Sequence, residues 1–180
     1  MSETPIITVP GITGSGPDHW QSLWEARDPR LSRFRPADWD TPDLGDWCAA
    51  LGRAVDAAPS PPVLLAHSLG CLLILHAAAR LGPVAGAVLV AMPDPDGPAF
   101  PAEAAGFRDP PAARLPFPAL LVASPDDPYG PIAYPRAQAP RIGARLVEVG
   151  PSGHINAASG LGDWPEGGRL LTAFLAGLGR

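Results

Sequence analysis

The run Val63, Leu64, Leu65, Ala66, His67, Ser68, Leu69, Gly70, Cys71 constrains this chain more than any other stretch, because four apolar residues lead straight into a serine flanked by small residues. A strand that ends at Ala66, turns sharply at Ser68 and enters a helix presents the serine oxygen at the carboxyl edge of a sheet. That is a nucleophile elbow, a geometry suited to covalent catalysis by serine. The usual pattern is Gly, any, Ser, any, Gly; here Ala66 fills the first small position and Gly70 the second. An alanine methyl can be accommodated there, whereas a larger side chain would push strand and helix apart. Alone, the pentad also fits a strand, a turn and a helix with an exposed serine and no chemistry.

A triad on this scaffold needs an acid and then a histidine, each in a loop after a later strand. Leu120 to Ala123 reads as a buried strand running into Ser124, Pro125, Asp126, Asp127, Pro128. Arg145 to Val149 reads as the next strand, followed by Gly150, Pro151, Ser152, Gly153, His154. His154 is the histidine in the required setting: His67 is the variable elbow position, His76 falls on the helix after the elbow, and His19 lies near the amino terminus. Asp127, directly before Pro128, is the expected acid; Asp126 is the alternative, or else a turn former that accepts backbone hydrogen bonds. The acid would hold His154 in the tautomer that takes the serine proton.

An oxyanion hole needs two backbone donors. One is the amide of Leu69, after the nucleophile and at the positive end of the helix dipole. For the other, Ile6 to Val9 reads as the first strand and leads into Pro10, Gly11, Ile12, Thr13, Gly14, Ser15, Gly16, where the Ile12 amide is the candidate. As a phosphate cradle this glycine-rich loop is a poor match, since no lysine follows and the spacing fits neither common nucleotide fingerprint.

These residues resemble a family: the small single-domain serine hydrolases of the α/β-hydrolase fold related to the retinoblastoma-binding serine hydrolase and its bacterial YdeN-like relatives. The likeness spans nearly the whole chain. It rests on Val9, Pro10, Gly11 with His19 and Trp20 in the following helix, on Ala66 to Gly70, on Asp126, Asp127, Pro128, and on Gly153, His154, Ile155, Asn156. Ser159 to Gly167 looks especially like the bacterial branch. Carried over by position, the resemblance implies Ser68 as nucleophile, Asp127 as acid and His154 as base, and it implies no particular substrate. The retinoblastoma connection does not transfer, because Leu69, Gly70, Cys71, Leu72, Leu73 ends in leucine where a Leu, any, Cys, any, Glu motif needs an acid.

At 180 residues and 46% hydrophobic, the chain suffices for one substantial core, so residues 1–180 are expected to form a single domain. The expected architecture is a minimal α/β-hydrolase: a mostly parallel sheet of about six strands, helices on both faces and no large cap, leaving an open, shallow site. All 13 basic residues are arginine and the net charge is −5, which argues against general affinity for nucleic acid or acidic membranes. Met1 to Pro5 has no basic region or long apolar core, and no apolar stretch approaches the roughly 20 residues that span a bilayer. A cytoplasmic protein is expected. Cys48 and Cys71 fall in predicted helices and read as buried free thiols. The histidines and carboxylates form no close ligand set, so neither metal nor cofactor is expected.

Thr41 is expected to cap a helix from Pro42, with Leu44, Trp47, Cys48, Leu51 and Val55 along one face. Leu69 to Arg80 reads as the helix after the elbow, Val84 to Ala91 as a buried strand, and about Glu166 to Leu178 as a last helix that closes the sheet. Met92 to Pro118 is rich in proline and reads as a long loop. Such loops lie at the ligand-binding edge of an open sheet, which makes Met92, Pro93 and Phe100 candidates for the pocket; the other reading is a stiff surface excursion. Of the tryptophans, Trp24 and Trp47 are expected to pack and Trp164 to border the site. His19 and Asn156 lie near the site loops and could hydrogen-bond loop backbone.

The function expected is hydrolysis of a small carboxylic ester, thioester or amide through an acyl-enzyme. Two other classes use the same scaffold: a binding or scaffolding protein with little catalysis, and an acyltransferase.

Overall fold

The computed structural model describes residues 4–179. Met1 to Glu3, on which part of the targeting expectation rests, lie outside them. Six strands, all parallel, form one sheet in the order β2-β1-β3-β4-β5-β6: β1 Ile6–Val9, β2 Leu31–Arg33, β3 Val63–His67, β4 Gly86–Val90, β5 Ala119–Ala123 and β6 Arg145–Glu148. Five α-helices intervene or follow: α1 Trp20–Glu25, α2 Leu44–Asp56, α3 Leu69–Ala77, α4 Ala133–Ile142 and α5 Pro165–Gly177. No helix among the described residues is long and apolar enough to cross a membrane.

The central strands are runs of apolar residues because a parallel sheet is covered on both faces. Alternate residues feed two cores. Ile7, Val9, Leu64, Ala66, Leu89 and Leu121 face a core completed by Trp47 and Leu51 of α2, Leu72 of α3 and Ile142 of α4. Ile6, Val63, Leu65, Val88, Val90 and Val122 face another, closed by Trp20 of α1 and by Leu171 and Leu175 of α5. The helix after the elbow is buried almost all round, which its sequence, Leu69 to Ala77, states by lacking a polar stripe.

Several boundaries differ from expectation for identifiable reasons. Asp43, not Thr41, caps α2: its carboxylate accepts the Asp46 N–H, while the Thr41 hydroxyl donates to Asp38. The helix after the elbow tightens to a 3-10 turn at Ala78–Arg80. β2 is only three residues long, below what periodicity can detect. α4 carries Pro135 in its first turn, where proline removes little of the hydrogen-bond ladder, and Pro140 inside the helix, where the bond to the Arg136 carbonyl is forfeited. Cys71 is buried as expected, but Cys48 is only half-buried. The stretch from Met92 to Pro118 is the expected long connection, with one 3-10 segment at Ala102–Phe107.

β1 leads to β2 on one side and β3 lies on the other, so the strand order reverses between β1 and β3. A crevice therefore opens at the carboxyl ends of those two strands, where ligands bind in open α/β sheets. The elbow lies there.

Candidate active site

Ser68 follows β3 with φ 53° and ψ −124°, a backbone conformation that few residues other than glycine adopt. Glycine is required around it. A Cβ on Gly70 would stand 2.1 Å from the Val9 carbonyl oxygen, and one on Gly11 would stand 2.9 Å from Ser68 Cβ and 3.1 Å from the Leu69 nitrogen. Ala66 is fully buried, so the methyl that replaces the usual glycine is taken up by the core.

Ser68, His154 and Asp127 form one hydrogen-bonded chain. His154 Nδ1 lies 2.9 Å from both carboxylate oxygens of Asp127, and His154 Nε2 lies 2.8 Å from Ser68 Oγ. An ionised carboxylate only accepts, so Nδ1 carries the proton and donates it, leaving Nε2 free to accept the Ser68 hydroxyl. The side chains of Asp127 and His154 are 2% and 10% exposed, so the pair sits in a largely water-excluded setting.

The two adjacent carboxylates divide by position. Asp127 turns inward to the imidazole, and the Tyr129 N–H also donates to it. Asp126 turns outward: its Oδ1 accepts from the Ser124 hydroxyl and from the backbone N–H groups of Ser152 and Gly153. The Ser124 hydroxyl first, then the Gly153 amide, holds the Asp126 carboxyl below its ordinary pKa. Asp126 thus fastens the loop that carries His154, in keeping with the turn-former alternative.

Two further ties hold that loop. The carbonyl of His154 itself accepts a hydrogen bond from His67 Nε2 at 2.9 Å, and the next carbonyl, Ile155, accepts from the Trp20 indole at 2.8 Å. Burial keeps His67 neutral, its pKa well below the usual histidine value. Nothing in the residue pattern singles out His67, since the elbow motif leaves its position variable. Tyr129 was missed too: its ring lies 4.6 Å from that of His154, centroid to centroid. Its place directly after the acid and proline was the one available signal.

The cavity above Ser68 has a volume of about 450 Å³. Ile12 and Leu69, the two expected backbone donors, lie on its wall, as do Pro93, Phe100, Tyr129 and His19. Asn156 also borders it and forms a capping box with Ser159 around the turn after His154. Met92 and Trp164 do not line it. Met92 is 1% exposed in the core with α2 and α3, and Trp164 is 3% exposed, packed on Trp20 and Trp24. Trp164 faces inward because it turns the chain into α5 in a left-handed conformation, with Gly167 directly beneath its ring. Among the described residues no group of three or more His, Cys, Asp or Glu is placed to hold a metal ion.

A chain with this sheet order and this elbow has recognisable relatives among solved structures. A YdeN-like hydrolase from Pectobacterium atrosepticum is 34% identical over 98% of this chain and 92% of its own, with a TM-score of 0.88. The ydeN gene product of B. subtilis is 22% identical over 97% of this chain and all of its own, with a TM-score of 0.79, and shares the fold. So does the esterase domain of a Rhodothermus marinus protein, at 18% identity over 91% of this chain and 86% of its own and a TM-score of 0.63. No curated protein matches this chain significantly. The family described as serine hydrolase matches residues 6–173, a span from the first strand into the last helix that takes in Ser68, Asp127 and His154. By that match and by its likeness to the Pectobacterium hydrolase, the chain belongs to the serine hydrolase family and is built on the α/β-hydrolase fold.

Proposed function

We propose that this serine hydrolase cleaves small carboxylic esters through an acyl-enzyme. The observation that carries the reading is the continuous chain from Ser68 Oγ through both nitrogens of His154 to Asp127. Ser68 attacks the ester carbonyl as its proton passes to His154 Nε2, and Asp127 stabilises the imidazolium that forms. The Ile12 and Leu69 amides receive the negative charge that develops on the carbonyl oxygen. His154 then protonates the departing alcohol. Water, activated by the same imidazole, attacks the acyl group and restores Ser68.

An apolar wall of Pro93, Phe100 and Tyr129 supports acyl groups of modest size in about 450 Å³. The test is turnover of short-chain nitrophenyl esters by wild type and Ser68→Ala. A pre-steady-state burst of nitrophenol equal to the enzyme concentration, lost in Ser68→Ala, is expected. Equal turnover by the two proteins overturns the reading.

A further inference from the structure

The β1–α1 loop brings His19 to the cavity wall, 4% exposed, and its two ring nitrogens are in opposite situations. Nδ1 accepts the backbone N–H of Gln21 at 3.2 Å, capping α1. An amide nitrogen can only donate, so Nδ1 holds the lone pair and Nε2 holds the proton. That Nε2–H has almost no accessible surface and no hydrogen-bond partner among the described residues, so a substrate oxygen would reach it only where the cavity wall gives way. Among the described residues two other buried polar atoms share this condition, Tyr134 Oη and Trp164 Nε1, but neither residue lines this cavity.

The placement is close to the chemistry. The His19 ring packs edge-on against His67 at 4.6 Å, and His67 lies 4.9 Å from His154, centroid to centroid. The donor is therefore one imidazole away from the base that faces Ser68. The rest of the loop is braced: Arg33 donates to the Gly14 and Ser15 carbonyls and pairs with Glu25, while the Ser15 hydroxyl donates to Gln21. Burial first, then the charges of Arg33 and His154, lowers the His19 pKa to about 4, so the ring is a neutral donor under ordinary conditions. Among the described residues no arginine lines the cavity, so a carboxylate on the substrate would find no arginine there.

We propose that His19 determines specificity: its Nε2–H donates a hydrogen bond to a neutral ether, hydroxyl or carbonyl oxygen of the substrate beside the scissile ester, so that the site selects oxygenated esters over hydrocarbon ones. This rests on the ester-hydrolase reading above. A substrate with that oxygen gives the buried donor a partner, and one with a methylene in its place leaves the donor unpaired, which is the asymmetry that lets polar sites discriminate strongly.

The test uses pairs of esters that differ by one methylene exchanged for an ether oxygen, with the oxygen moved in turn along the acyl chain and along the alcohol. Rates with hydroxide supply the intrinsic reactivity of each pair. At one position, wild type is expected to prefer the ether ester by about tenfold in kcat/KM beyond the hydroxide ratio. His19→Phe is expected to return that preference to the hydroxide ratio, with fluorophosphonate labelling of Ser68 reporting that its elbow has formed. If His19→Phe does not label, His19→Asn, which keeps a capping oxygen on a shorter side chain, is held to the same outcome. The inference is overturned by a wild type with no such preference at any position, whatever the variants do, and equally by a preference that survives loss of the imidazole. Either result leaves the esterase reading standing; hydrolysis of both esters by Ser68→Ala at the wild-type rate removes that reading instead.

Discussion

Two loops at the same edge of the sheet are held by different forces. The loop after β6, which carries His154, is fixed by directional polar ties: Asp126 to the Ser152 and Gly153 amides, His67 to the His154 carbonyl, and the Trp20 indole to the Ile155 carbonyl. The long connection after β4 buries Met92, Phe100, Ala104 and Phe107; its polar ties are spread out, the Asp94 N–H to the Tyr129 carbonyl, His76 to the Phe107 carbonyl and the Leu115 N–H to the Ile142 carbonyl, and its ion pair of Arg108 with Asp96 is long at 3.9 Å and exposed. Hydrogen bonds fix angle and distance, whereas apolar burial fixes only position. The loop that aligns an imidazole with a hydroxyl and a carboxylate concentrates its polar ties around the histidine; the loop that shapes a wall leans more on burial.

The comparison breaks most sharply at its centre. Asp127→Asn is expected to lower kcat by about 10⁴-fold while leaving the fold intact, because the amide presents the wrong groups to His154 Nδ1. Steady-state kinetics check it, and a loss under tenfold would show that Asp127 does not orient the base. Phe107→Ala should do the reverse, costing about 3–5 kcal/mol in denaturant unfolding with kcat changed by less than about threefold. A large fall in kcat with stability unchanged would erase the distinction between the loops.

Acid should act on the polar side of the site. His19 and His67 are kept neutral by burial, with pKa values below the ordinary histidine value. As pH falls below about 6.5 the unfolded chain takes up protons that the folded chain refuses, so stability is full above that pH and lost on the way down. For His19 the window runs from about 6.5 to about 4, an effect on the order of 3 kcal/mol. Denaturation midpoints measured between pH 7 and 4 should fall, and fall less in His19→Phe; an unchanged slope in that variant would remove His19 from the explanation. The smallest effect is reserved for Asp126→Ala, which frees one end of the His154 loop and should lower kcat about tenfold, the scale of one or two hydrogen bonds to a charged group. A loss as large as that of Asp127→Asn would mean that the two carboxylates do not divide their work.

Much of this was legible in the sequence wherever a residue type is forced. Gly70 and Gly11 admit no Cβ, which is why the small residues around Ser68 mark the elbow. The acid stayed open between two candidates because Asp126 and Asp127 are the same residue one position apart; only the direction each side chain takes separates them. His67 and Tyr129 were invisible because what they do depends on a loop 87 residues away in one case and on a ring of another loop, packed at a tilt, in the other. Trp164 and Met92 were misplaced for the opposite reason. Proximity in sequence to site loops says nothing about which way a side chain points, and both turn into the cores. α4 was hidden by its two prolines: Pro135 sits in the first turn, where a helix tolerates it, but Pro140 lies inside the helix, where proline usually argues against one.

The central claim is that Ser68 is an activated nucleophile because His154 and Asp127 hold it so. A fluorophosphonate probe followed by intact mass measurement asks this without presuming a substrate. The account predicts a single adduct on wild type and none on Ser68→Ala or His154→Ala. Folded wild type that takes no adduct, or an adduct that persists on Ser68→Ala, would contradict it.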